Sequence, residues 1–206
     1  MALIHSRNGT ELLNTSSALI IIGVNKPVGH TFKLDKETGF TYRCPIREEN
    51  VPVYFLREGL KSDGNTFDAH FCPYGADEVH GIRVDKSYNY FFTATLTGCN
   101  LGFGPLNKTD GSRWVGHSNA MTVGDLVHQG IEGDPSSVAK ARMVQQTVQT
   151  KMLQSKEPLS ESVTPSGYGR PLTTEDDIKT TVIGLRDTKT NAWTYIRQNY
   201  QSTDFQ

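Results

Sequence analysis

The sequence predicts an α/β fold built mainly on sheet, and three observations carry that reading. Short runs rich in apolar and β-branched residues recur along most of the 206 residues, separated by Gly, Pro, Asn and Asp. Only one stretch keeps a helical period over several turns. Near the C-terminus, Asp187-Thr-Lys-Thr-Asn191 sits between two strand-like runs and reads as a hairpin turn. Strands pairing in mixed or antiparallel fashion, with helices outside them, follow from this pattern. The length suits a single domain over 1–206.

Taken in order, the first 17 residues are polar and read as peripheral. Strands are expected over 18–24, 31–34, 40–43, 51–56, 79–84, 87–97 and 113–117, then over 180–186 and 192–198. Pro27-Val-Gly29, Ser62-Asp-Gly64 and Pro73-Tyr-Gly75 supply turns between them. The long helix should run from 135 to 154, with Asp134 as N-cap and Pro135 in the first helical position. Ala141, Val144, Val148 and Met152 form its apolar stripe, while Lys140, Gln145, Gln149 and Lys151 point elsewhere. A shorter helix should begin near Thr122, and residues 156–170 read as a long loop.

Composition narrows the function. Hydrophobic residues at 36% and charged residues at 21% mark a globular chain with a real core. A net charge of −1 gives no basic surface for nucleic acid or an anionic membrane. The longest apolar run, residues 18–24, is too short to span a bilayer. No basic segment precedes it and no small-residue cleavage site follows, so no Sec signal peptide is expected. Cys44, Cys72 and Cys99 are an odd, widely spaced set, which suits reduced thiols in a cytosol. The sequons at Asn8, Asn14 and Asn107 are read as chance, and a monomer is expected.

One stretch, Phe91-Phe-Thr-Ala-Thr-Leu-Thr-Gly-Cys99, carries the candidate chemistry. If 90–99 is a regular strand, Tyr90, Phe92, Ala94 and Leu96 share a core face. Phe91, Thr93, Thr95, Thr97 and Cys99 share the other, whose hydroxyls and thiol suit a cleft wall. Gly98 permits a backbone turn closed to other residues and a close approach to the Cys99 amide. A thiol there needs a base to become a good nucleophile near neutral pH. His117 is the best placed of six histidines, on a strand able to pair antiparallel with the first across 100–112. Val115 shares its face, while Trp114 and Gly116 take the other. The same residues are also compatible with a buried cysteine and a satisfied strand histidine.

Three rival motifs are weaker. Gly116-His-Ser-Asn-Ala120 resembles a nucleophile elbow around Ser118, but only His128 follows it, too close for the usual order of elements. His70, Cys72 and His80 have ligating atoms without a strong zinc spacing. Gly167-Tyr-Gly-Arg170 fits no nucleotide-binding pattern.

Leu96-Thr97-Gly98-Cys99 resembles the L-S-G-C motif of bacterial glutamine-deamidating toxins, the family of cytotoxic necrotizing factor and the Burkholderia lethal factor. Phe91-Phe92-Thr93 is similar to the opening of the lethal factor's cysteine strand. Trp114-Val-Gly-His117 with Ala120, and Pro165-Ser-Gly-Tyr-Gly-Arg170, are similar to further segments of it. The likeness concentrates between 88 and 120, with an echo over 165–198, and does not reach the first 80 residues. Thr97 replaces the family's serine, and the interval between Cys99 and His117 is longer.

The resemblance implies a β-sandwich-like core of mixed sheets surrounded by helices and loops, with Cys99 and His117 meeting at its edge. It implies a protein-glutamine deamidase with Cys99 as nucleophile and His117 as its base and acid. The main-chain carbonyl of Thr93 would orient the imidazole, and the Thr97 hydroxyl would brace the turn or the substrate amide. No metal or cofactor is called for. The family's setting implies secretion from a bacterium and action in a host cytosol. A Rho-type GTPase or a translation-initiation helicase is the kind of substrate implied. The same dyad would also serve a cysteine protease or a transglutaminase, and the fold could carry a non-catalytic binding module. In Ser166-Gly-Tyr-Gly-Arg170, Tyr168 and Arg170 are candidates for a substrate-binding rim, or else pack locally at the core edge.

Overall fold

The computed structural model describes residues 3–5, 11–14, 18–24, 26–44, 49–130, 136–168 and 178–201. Strand accounts for 45% and helix for 17%, so sheet is the framework and the fold is α/β with a sheet-rich core. The strands are β1 (Leu3–His5), β2 (Glu11–Asn14), β3 (Leu19–Ile22), β4 (Thr31–Cys44) and β5 (Glu49–Glu58). Then come β6 (Phe67–Asp68), β7 (His70–Cys72), β8 (Val79–Val84), β9 (Tyr90–Thr93), β10 (Asn100–Phe103) and β11 (Arg113–Ser118). Helices α1 (Met121–Gly130) and α2 (Ser137–Gln154) follow, then β12 (Glu161–Val163), β13 (Lys179–Arg186) and β14 (Trp193–Tyr200). By residue contacts the chain gathers into two compact units. One takes in Met1–Phe71, Lys86–Thr95 and Thr181–Gln206, the other Cys72–Asp85 and Leu96–Thr180.

In the first unit, a mixed sheet runs in the order β3-β5-β4-β6, with β3 parallel to β5 and the other pairs antiparallel. Leu19, Tyr42, Val51, Val53 and Tyr200 pack together as one cluster. The rings of Phe32, Phe67, Phe71 and Phe92 form an aromatic chain with centroids 5.7–6.4 Å apart. The two strands expected at 31–34 and 40–43 are one long β4. A register shift between Lys36 and Thr41 absorbs the extra polar residues that look like a turn in sequence. Nor is the N-terminal segment wholly peripheral, since Ile4 on β1 is fully buried and β1 pairs with β2.

A second sheet has the order β14-β13-β9-β7. The hairpin between β13 and β14 forms as expected, its turn closed by Asp187 accepting from the Lys189 and Thr190 amides. The strand expected over 87–97 stops at Thr93, and both of its faces are buried, Phe91, Phe92 and Thr93 alike.

The second unit is an antiparallel sheet, β12-β10-β11-β8, with α2 packed against one face. Two stretches expected as loop are strand here: Asn100–Phe103 pairs with β11, and Glu161–Val163 extends the edge beside β10. Cross-strand partners lie on one face of a sheet. Leu101, Phe103, Val115, His117, His80 and Ile82 therefore share a face, and Asn100, Gly102, Gly116, Ser118 and Gly81 share the opposite one.

On that opposite face, Gly102, Gly116 and Gly81 are successive register partners, a row of three glycines across three strands. A Cβ at Gly116 would stand 2.0 Å from the Trp114 ring, and one at Gly81 would stand 2.4 Å from it. At Gly102 it would stand 2.8 Å from Leu159 and 3.1 Å from Leu153 of α2. The row is a trough in which the indole and the helix rest directly on backbone.

Helix α2 is rotated from the expected stripe. Its buried residues are Ser137, Ala141, Gln149 and Leu153, while Val144 is exposed. The residue at its N-cap is Ser136, without a side-chain cap bond, and Asp134 and Pro135 lie outside the described residues. The stripe is misread because a glutamine occupies the buried row, where it meets a polar need described below.

Candidate active site

The chain leaves β9 at Thr93, makes one bridge from Leu96 to Thr180, and turns at Gly98. Gly98 has a φ of 84°, in the left-handed region where a side chain is strained, as expected for the residue before the thiol. Its carbonyl accepts from Gln149 Nε2 of α2 at 3.0 Å. That bond fixes the plane of the peptide leading into Cys99 and explains why Gln149 is buried. Ser118 Oγ donates to the Gln149 carbonyl at 3.2 Å, and Asn100 Nδ2 donates to the Gln146 carbonyl and to Thr150 Oγ1. Ser118 is thus a bond to the helix on the face away from His117, and the elbow reading falls.

Asn100 pairs with Ser118 and Leu101 with His117. One step beyond the last paired residues, the Cys99 sulfur accepts from Asn119 Nδ2 at 3.1 Å. Continued by that one residue, the register sets His117 diagonal to Cys99. Both are covered: Cys99 is 2% exposed and His117 1%, so the pair lies beneath the surface and does not line an open cleft.

The cover over His117 includes Tyr74, whose ring centroid is 5.6 Å from the imidazole. The Tyr74 phenol is pushed above its usual pKa by burial, then by the negative charge of Cys99 and of Asp77. Tyr74 belongs to segment 73–77, which Asp77, at a φ of 55°, ties to α1. Its carboxylate accepts from the Thr122 amide at 2.8 Å and the Thr122 hydroxyl at 2.6 Å.

Burial, and secondarily the charge of His80, pushes the His117 pKa down to about 3. Neither ring nitrogen has a hydrogen-bond partner among the described residues. The carbonyl of Thr93, implied as the orienting group, therefore does not fill that role. Thr93 belongs to the first unit, and its hydroxyl donates to the Ala94 carbonyl. Thr97 is exposed at the turn. Tyr168 closes a short 3-10 turn, Ser166–Tyr168, but its side chain and Arg170 lie outside the described residues.

His70, Cys72 and His80 do not gather. Cys72 donates to the carbonyls of His80 and Val115, His80 pairs with Glu78 at 2.7 Å, and His70 packs against Tyr88. Among the described residues no His, Cys, Asp and Glu group could hold a metal ion. Burial pushes the Cys72 thiol up to about 12, so it stays protonated and inert near neutral pH. No disulfide joins cysteines among the described residues. No helix of the described residues is long and apolar enough to cross a membrane.

Two functional candidates, Asn119 and Gln149, escape sequence reasoning. Asn119 carries a usable signal, since pairing His117 opposite residue 101 puts residue 119 opposite the thiol. No family model matches the chain, and no characterised protein matches it in sequence.

The depressed histidine has a consequence for stability. In the unfolded chain His117 takes up a proton near pH 6.5, but in the fold it does so only near pH 3. Between these values the unfolded state binds more protons, so stability is full above 6.5 and is lost as pH falls. A loss of about 2 kcal/mol between pH 7 and pH 5 is expected from this residue. Urea unfolding at both pH values checks it: His117→Gln should lose correspondingly less than wild type on acidification.

Proposed function

We propose that the chain is a cysteine-dependent protein-glutamine deamidase. One observation carries the reading: a thiol at a left-handed glycine turn opens the strand that pairs with that of His117, a buried imidazole whose nitrogens have no hydrogen-bond partner among the described residues. A buried polar group without a partner is uncommon, and a catalytic role is one of the explanations for it. The imidazole is neutral at pH 7, the form a general base requires.

In the proposed reaction His117 takes the Cys99 proton as the sulfur attacks the glutamine carboxamide carbon. The C–S bond forms and the carbonyl electrons move to oxygen. Backbone N–H groups at the Gly98 turn support the oxyanion. Its collapse breaks the C–N bond, and the imidazolium gives its proton to the departing nitrogen, releasing ammonia. His117 then draws a proton from water as that water attacks the thioester, and the thiolate leaves a glutamate behind. With Cys99 2% exposed, a substrate side chain must displace covering residues to reach the sulfur, which favours a protein partner with binding energy to spend over free glutamine.

The burial of the pair favours one rival, a non-catalytic module in which Cys99 and His117 are core residues. Mass spectrometry of host lysate treated with wild type and with Cys99→Ser decides between them. Glutamine-to-glutamate conversion with wild type alone is expected. Cleavage or cross-linking instead would point to a protease or a transglutaminase, and no difference between the samples would overturn the enzymatic reading.

A further inference from the structure

Asn119 sits where β11 hands over to α1, and it is 5% exposed. Its side-chain oxygen accepts from the Met121 amide at 2.8 Å and from the Asp77 amide at 3.5 Å. Its own amide donates to the Glu78 carbonyl at 3.1 Å. With the oxygen end held by two backbone donors, the carboxamide can present only its NH₂ to the other side. There it meets the Cys99 sulfur at 3.1 Å.

This contact matters because of what the site lacks. His117 is buried, and among the described residues its ring nitrogens make no hydrogen bond. A thiol is a weak acceptor, whereas a thiolate is a strong one, and a charge-assisted bond is roughly twice as strong as a neutral one. A fixed N–H donor therefore favours the ionised sulfur over the protonated one.

We propose that Asn119 is a catalytic residue of the site, donating through Nδ2 to the Cys99 sulfur and stabilising its thiolate. The same donor lies beside the sulfur when the thiolate departs from the thioester, so it assists both halves of the reaction. The inference rests on the deamidase reading above. A purely structural alternative exists: the side-chain oxygen caps the first turn of α1, and the sulfur accepts incidentally.

Asn119→Ser and Asn119→Asp together separate the two roles: the serine keeps an oxygen that can cap α1 and removes the Nδ2 donor without adding charge, while the aspartate keeps the capping oxygen and replaces the donor by a charged acceptor. The readout is the pH dependence of iodoacetamide labelling at Cys99, followed by mass spectrometry on the intact chain without substrate. Its midpoint reports the thiolate pKa, while its plateau reports how often the covered sulfur is reached. Asn119→Asp should move the midpoint upward by about one unit or more, a tenfold or greater loss of labelling at pH 7. Its melting temperature should stay near that of wild type, and Asn119→Ser should shift the midpoint by less. An unchanged midpoint in the uncharged Asn119→Ser variant overturns the proposal and leaves the deamidase reading standing. A shifted midpoint in a chain whose wild type converts no glutamine removes the catalytic role while keeping the contact. A shifted midpoint together with lost glutamine conversion supports the proposal in full.

Discussion

Replacing His117 by alanine is expected to lower glutamine conversion by about 10²–10⁴-fold, the range that a positioned acid–base group supplies. Replacing Cys99 by serine should abolish it. The reasons differ. Without His117 the thiol proton has no acceptor, and the leaving nitrogen has no donor. The serine variant keeps the Asn119 donor and the Gly98 turn. Its hydroxyl is nonetheless far less acidic than a thiol and a far poorer nucleophile beside the same base. Both variants should stay folded, as far-ultraviolet circular dichroism at pH 7.5 would show. Near-wild-type conversion by either one, or loss that tracks unfolding, would sink the assignment.

Gly116→Ala is expected to be the most damaging single methyl in the second unit. The added Cβ would fall 2.0 Å from the Trp114 ring, a distance that real contacts never reach. A Cβ added at Gly81 would likewise fall 2.4 Å from the ring, and one added at Gly104 would fall 3.3 Å from the Trp114 Cβ. The indole must leave its trough or the strands must part, and overpacking of this kind costs about 1–3 kcal/mol. For a chain of this size each kcal/mol lowers Tm by about 2–4 °C. Gly64→Ala is the control, because nothing lies within 4 Å of its added Cβ. The mechanism makes a sharper demand on the double variant with Trp114→Ala. Removing the ring removes the clash, so the two losses should sum to less than their separate values. Strict additivity in thermal melts would show that the indole is not what Gly116 accommodates.

Much of this was legible in sequence where a single period governs a segment. The strands at 79–84 and 113–117, the C-terminal hairpin and the second helix near Thr122 stand where alternation and turn chemistry put them. So does Gly98, because a positive φ is a demand only glycine meets cheaply. What failed did so for identifiable reasons. Residues 90–99 alternate like a strand throughout, yet the pairing with β13 follows them only as far as Phe92, apart from the Leu96–Thr180 bridge. Asn100-Leu-Gly-Phe103 reads as loop because its inner face is an asparagine and a glycine. Their partners are a helix carbonyl, a threonine and two leucines, none of them visible locally. Gln149 was assigned to the solvent side of α2 on polarity alone. The carbonyl it serves lies 51 residues away, so no window of the helix could reveal it. The side-chain partner of Cys99 was hidden likewise, since an asparagine just before a helix reads first as a cap.

The covering of the dyad by Tyr74 has one further consequence, for the chemical lifetime of the nucleophile. Peroxide attacks thiolates, and a low-pKa, open cysteine is carried readily to sulfenic acid and then irreversibly beyond it. Here the sulfur is 2% exposed, and the neighbouring segment 73–77 is tied through Asp77 to the first turn of α1. A peroxide molecule meets little of that sulfur in the folded chain. Under the proposed reaction, a docked protein partner would have to uncover it, so the thiol would be exposed to oxidants mainly while a substrate is engaged.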